Sequence, residues 1–314
     1  MAYRVIGDEE LKGQESLKVQ TQDAYLKLLL CPPEYLRADI ANNVFMKKLP
    51  EKERKINVDK AMAQFFEMAG LFAQDAFVYL LPPKRGLQDQ MYISNAGVCL
   101  PHLDKTFVLA KFKAEGRPGE EKELSKFLDI AGYKQFTPPY FFEGKAEFLW
   151  LRDNIYFGGY GQRSVPEALD WIAQKFDARV IKIEERDQKR YHLDCSIFPL
   201  SKDKVMFATD GQDRATVKEI EKVAEIIPVS KEAAQMSVTN NQRIGSIVYT
   251  MTDISELKRS DEDYEKEKRK NEEFEKIVMD AGLTPIFIDL SEIGASGAAL
   301  SCCCLPLNGV PYPS

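Results

Sequence analysis

Cys302 lies in the run Ser296-Gly297-Ala298-Ala299-Leu300-Ser301-Cys302-Cys303-Cys304-Leu305-Pro306-Leu307. Small residues lead into three thiols, and an apolar tail follows. A Gly/Ala-rich approach lets backbone crowd a reacting centre, and a thiolate held there is a strong nucleophile. The chain has only two histidines, one of them in Tyr191-His192-Leu193-Asp194, so few groups can carry the thiol's proton. Thiol–imidazole catalysis is the first chemistry this suggests; three idle core thiols are the plain alternative.

Four other segments are polar within apolar surroundings. Residues 89–97 (DQMYISNAG) read as a strand whose tip presents Asn95; a simple Asn/Gly turn is the alternative. Glu143 sits between Phe142 and Gly144, where desolvation would raise its pKa and fit it for proton transfer. Gly158-Gly159-Tyr160-Gly161-Gln162-Arg163-Ser164 brings backbone close to something and offers Arg163 as a fork for a carboxylate. Its spacing is not that of a phosphate loop. If 192–194 is a strand, His192 and Asp194 point to one face and share a pocket.

These residues need a scaffold. Apolar spacing predicts helices over 59–74, 120–131, 165–176 and around 217–224. It predicts strands over 76–81, 107–112, 180–183, 244–249 and 285–290, with hairpins at 148–157 and 195–208. This strand–strand–helix–strand rhythm returns about every 50–60 residues. Hairpins between the helices argue for an α/β fold other than a doubly wound parallel sheet. No Pro/Gly/Ser-rich linker divides the chain, so one domain over 1–314 is expected. The alternating charges of 256–276 read as a solvated helix face.

Composition narrows the classes. Of 314 residues 44% are hydrophobic and 29% charged, and the net charge is -6. Without a basic stripe, nucleic acid is not an expected partner. No apolar run approaches a membrane span, and 1–18 lacks a secretory apolar core. The six cysteines show neither a disulfide framework nor a CxxC pair, so the cytoplasm is expected, with no metal and no cofactor.

Taken in order, the motifs resemble a known family. Cys31-Pro32-Pro33-Glu34-Tyr35, Asn43-Val44-Phe45-Met46, Asp89 to Gly97, Arg117-Pro118-Gly119-Glu120, Phe142 to Glu147, Gly159 to Ser164, His192-Leu193-Asp194 and Gly297 to Cys302 follow one another as they do in the guanidine-modifying (pentein) superfamily. The chain is most similar to its bacterial dimethylarginine dimethylaminohydrolases and amidinotransferase-like proteins. The resemblance implies a five-bladed α/β propeller of ββαβ modules around a central active-site channel. It implies Cys302 as nucleophile, His192 as general acid/base and Glu143 as the carboxylate that binds the guanidinium and helps move protons. Asp89 is expected near the substrate's α-amino group, Arg163 and Arg117 at its carboxylate, and Asn95 and Asp194 along the pocket.

The sequence departs from the family pattern at three places. Glu147 stands where Asp is usual, Asn95 where arginine hydrolases carry Asp, and Ser301 where Arg or Lys is usual. A strand through 302–304 would put Cys304 on the same face as Cys302 and make it the alternative nucleophile, with Cys303 in the core. The expected activity is C–N hydrolysis of an arginine-related guanidino or ureido compound, dimethylargininase- or deiminase-like. An amidinotransferase using the same intermediate and a catalytically silent binding protein are the alternatives. The expected partner is a small guanidino amino acid; a homodimer is left open.

Overall fold

Fifteen short strands form five sheets of three in the computed structural model, which describes residues 25–309 except 49, 51 and 53. The expectation about residues 1–18 lies outside the described residues. Each sheet repeats one plan: the first strand runs antiparallel to the central one, and the third runs parallel to it after a helical crossover. A parallel pair cannot be joined by a tight turn, which is why every module carries a helix.

In chain order, β1 (Lys27–Leu30), α1 (Val58–Phe72) and β2 (Phe77–Leu80) come first. The second module is β3 (Gly97–Cys99), β4 (Thr106–Leu109), α2 (Glu120–Ile130) and β5 (Lys134–Phe136). The third is β6 (Phe148–Arg152), β7 (Ile155–Tyr160), α3 (Pro166–Phe176) and β8 (Arg179–Glu184). The fourth is β9 (Ile197–Pro199), β10 (Lys204–Phe207), α4 (Arg214–Glu221) and β11 (Glu225–Pro228). The fifth is β12 (Gln242–Ile244), β13 (Ile247–Thr252), α5 (Glu262–Asp280) and β14 (Thr284–Asp289). Finally β15 (Leu305–Pro306) pairs antiparallel with β1 and supplies the first module's missing strand.

Local chemistry explains the helix ends. Asn57 caps α1 by accepting from the Lys60 amide at 3.1 Å, and Asp213 caps α4 through the Thr216 amide at 2.8 Å. Pro166 opens α3, and Asp177 closes it in the left-handed region at φ 51°. Each helix buries one stripe; in α3 it is Ala168, Leu169, Ile172 and Phe176, packed against Phe148 and Tyr156. In α5 most charges face solvent as expected, yet Glu267 and Lys270 are buried as an ion pair at 2.5 Å beside Phe274 and Val278. No described helix is long and apolar enough to cross a membrane.

The structure corrects three local expectations. Residues 244–249 are not one strand, because Gly245 at φ 58° reverses the chain between β12 and β13. Residues 89–95 are not a strand either. They coil through turns into a 3-10 turn at Ile93–Asn95, and extended backbone begins only at Gly97. The segment through His192 and Asp194 is likewise a 3-10 turn, Leu193–Cys195, ahead of β9.

Candidate active site

The first strand of every module is entered through a tight turn, and these five turns converge. Four are 3-10 turns, at Ile93–Asn95, Gly144–Glu147, Leu193–Cys195 and Leu300–Cys303. The fifth precedes β12 and carries Asn240. They present Asn95, Glu143, His192, Cys302 and Asn240, each from a different module and each buried. Glycine permits the crowding. A Cβ on Gly144, at φ 60°, would stand 2.6 Å from the Ser94 carbonyl and 2.7 Å from the Gly97 nitrogen. A Cβ on Gly159 would stand 2.3 Å from Glu147 Oε2, the oxygen that accepts from the Leu193 amide at 3.1 Å and so fixes the His192 turn.

His192 Nε2 donates to Glu143 Oε2 at 2.8 Å. The same oxygen accepts from Arg163 at 3.3 Å, and Glu143 Oε1 accepts from the Ala114 amide at 3.2 Å. Burial alone would raise the Glu143 pKa, but the His192 hydrogen bond and the Arg163 charge outweigh it and hold the carboxyl down at about 2. Burial lowers the His192 pKa, opposed in part by Glu143, so the ring is neutral more readily than in water. The Asn95 amide nitrogen sits 3.1 Å from His192 Nε2.

His192 and Cys302 line one small cavity of about 20 Å³, roughly one water, together with Asp89, Asn95, Arg117 and Arg163. Asp89 accepts from Asn42 and Gln88 side chains. Arg163 stacks over the Tyr191 ring at 5.0 Å and donates to the Asn42 carbonyl at 2.6 Å. Arg117 lies over Phe112, with Nε and Nη2 committed to Glu120. Asn43 closes the wall by donating to the Ser296 carbonyl at 2.8 Å, and Tyr191 by donating to the Gly297 carbonyl at 2.6 Å.

Three expectations are corrected here. Asp194 does not share the cavity with His192, because a 3-10 turn, unlike a pleat, sends the two side chains apart; Asp194 instead accepts from Ser301 Oγ at 3.0 Å. Cys304 does not share a face with Cys302, since Leu300–Cys303 is a turn; Cys303 and Cys304 both belong to the apolar core. Glu143 does not line the cavity but stands behind His192. Sequence reasoning missed Asn240, whose Oδ1 accepts from the Ser301 amide at 2.7 Å while Nδ2 points at Cys302 Sγ, 3.7 Å away. The polar triplet Thr239-Asn240-Asn241 just ahead of a strand was the available signal.

A larger cavity of about 430 Å³ lies beyond these residues, lined by Lys145, Asp194 and Ser301 with Trp150, Phe198 and Ile244 in its walls. It contains neither His192 nor Cys302 and is not the candidate site.

Glu185 beneath the His192 loop is buried, with Oε2 accepting from Ser196 Oγ at 2.8 Å and Oε1 making no hydrogen bond among the described residues. Burial, foremost, pushes its pKa up to about 8. A folded pKa above the unfolded one gives stability that is complete below about pH 4 and is lost as pH rises through about 8. Glu185→Gln is therefore expected to raise the Tm at pH 9 by roughly 5 °C, on the order of 2 kcal/mol, and to leave it unchanged at pH 4. Thermal unfolding at the two pH values measures this.

Comparisons with known proteins give the family and the fold. A family model described as N,N dimethylarginine dimethylhydrolase, eukaryotic, matches residues 32–308. The chain is 27% identical over 241 residues to the bifunctional arginine dihydrolase/ornithine cyclodeaminase AgrE of a Nostoc species, an alignment taking 75% of this chain and 33% of AgrE. It thus spans about a third of that relative's length. It is 22% identical over 285 residues to the N(G),N(G)-dimethylarginine dimethylaminohydrolase of Mycobacterium tuberculosis, covering 89% of this chain and 85% of that protein. Among solved structures, the substrate-bound Cys-to-Ser variant of the N-terminal domain of ArgZ, a cyanobacterial arginine dihydrolase, superposes with a TM-score of 0.77 at 23% identity, over 92% of this chain and 99% of that one. At that identity the likeness is one of fold.

Proposed function

Because the chain belongs to the N,N-dimethylarginine dimethylhydrolase family, we propose that it hydrolyses a C–N bond of an arginine-related guanidine through a covalent intermediate on Cys302. The observation that carries this reading is one small cavity in which Cys302 and His192 meet Asp89, Arg117 and Arg163. An amino-acid guanidine brings an ammonium for Asp89, a carboxylate for Arg163 and Arg117, and a cationic carbon for the sulfur. In this reading the five modules stand around a central axis as a propeller, with the five turns at its core.

The Cys302 thiolate attacks the guanidine carbon. The bond to the departing amine breaks as His192 delivers a proton to its nitrogen, leaving an S-linked amidino group. Water then adds to that carbon while His192 takes its proton, and C–S cleavage releases the ureido product and the thiolate. Glu143, a carboxylate throughout, orients the ring and stabilises its protonated form. Burial and Asp194 push the Cys302 thiol up to about 12. A docked guanidinium adds positive charge that favours thiolate, so thiol activation is coupled to binding the correct cation.

The test is incubation with arginine, mono- and dimethylated arginines and agmatine, measuring ureido product and released amine or ammonia. Stoichiometric ureido product and amine from one of the amino acids supports the reading. Product formed only when an acceptor amine is added makes the protein a transferase. No turnover of any of them defeats the reading.

A further inference from the structure

The turn that carries the nucleophile is tied on its far side by charged groups. Ser301 donates through Oγ to Asp194 Oδ2 at 3.0 Å, and its amide donates to Asn240 at 2.7 Å. Lys145 Nζ donates to Ser301 Oγ at 2.5 Å and to the Ser301 carbonyl at 3.3 Å. Lys145 comes from the Gly144–Glu147 turn, two residues after Glu143. One turn therefore serves both halves of the site, Glu143 toward His192 and Lys145 toward the Cys302 turn. Lys145 and Asp194 also border the larger cavity, so the pair sits between that space and the sulfur.

We propose that Lys145 is a positioning residue for Cys302: its ammonium clamps the Leu300–Cys303 turn and supplies the positive charge that offsets Asp194 and favours the thiolate. This rests on Cys302 being the nucleophile. A buried thiolate beside a carboxylate is doubly disfavoured, and a cation held on the adjacent residue acts across a short, poorly screened path. Burial and Asp194 both raise the Cys302 pKa, and Lys145 is the cation acting against them. The lysine keeps this geometry without entering the reaction cavity, so it raises thiolate content while leaving the substrate's place clear.

The test is the rate at which iodoacetamide alkylates Cys302, resolved by peptide mass spectrometry between pH 7 and 9, in the wild-type protein, Lys145→Gln, Lys145→Arg and Asp194→Asn. Alkylation needs no substrate and no turnover, so it reads the lysine's effect even if the proposed hydrolysis fails. Lys145→Gln is expected to slow Cys302 alkylation about three- to tenfold at fixed pH, since a loss of thiolate is partly offset by higher intrinsic nucleophilicity. Lys145→Arg should restore most of the rate, and Asp194→Asn should raise it. Simple loosening of the turn would speed alkylation in every variant. A wild-type rate in Lys145→Gln, no rescue by arginine, or slower alkylation in Asp194→Asn overturns the proposal. If Lys145→Gln does not fold, the opposite signs expected for Lys145→Met and Asp194→Asn carry the same decision.

Discussion

Cys302→Ser is expected to abolish ureido product from any guanidine the wild-type protein turns over, a loss on the order of 10⁴-fold or more in kcat/KM. A serine hydroxyl keeps the size of the side chain but is a poor nucleophile without a strong base, and it leaves poorly from the amidino adduct. Cys303→Ser and Cys304→Ser are the internal controls and should stay within a few fold of wild type. Their thiols face the Ala299 and Leu300 carbonyls and, unlike Cys302, do not line the cavity. Quenching the wild-type reaction during turnover should leave the added amidino mass on the Cys302 thiol. Finding that mass on Cys303 or Cys304, or full activity in Cys302→Ser, would sink the assignment.

The second large effect is expected from the His192–Glu143 pair. His192→Asn should cost about 10²–10⁴-fold in kcat/KM, the range of a lost general acid/base. Glu143→Gln separates orientation from charge, because the amide oxygen can still accept from His192 Nε2 while the carboxylate charge is gone. Glu143 opposes the lowering of the His192 pKa by burial, so removing its charge drops that pKa further. The protonated ring is then lost at lower pH, and the alkaline limb of the kcat/KM profile should move down in pH. The glutamate itself, held at about 2, contributes no limb near neutrality in the wild type. A pH profile in Glu143→Gln that overlays the wild type would remove Glu143 from this role.

The candidate site residues were legible before any geometry, because a thiol after Gly297, a lone His-Leu-Asp and an aromatic-flanked Glu143 are unusual neighbours for their sequence surroundings. The helices were legible too, since apolar stripes such as Ala168, Leu169, Ile172 and Phe176 need only local spacing. What misled was the backbone at the site. Residues 89–95, 192–195 and 300–303 have the apolar-polar mix of strands, but they fold as tight turns held by contacts from other modules, such as Ser94 and Asn95 carbonyls against Gly144. Treating them as strands put Asp194 and Cys304 in the wrong place, since a pleat alternates side chains and a 3-10 turn does not. Asn240 and Lys145 were hidden for a related reason: their partner, Ser301, is distant in sequence and no local period reports it.

The seam between β1 and β15 has a consequence for how the protein is made. Lys27 donates to Asn308 across 281 residues of chain, and Leu28 and Leu29 pair with Pro306 and Leu305 only a few positions beyond Cys302. Closing so long a loop is entropically demanding and is rewarded only once the intervening modules are in place. Until β15 pairs with β1, the turn bearing the Cys302 sulfur has no fixed relation to His192, Glu143 or Lys145. If Cys302 is the nucleophile, a partly synthesised or clipped chain carries an ordinary cysteine there, and pairing of β1 with β15 is the licence for its chemistry.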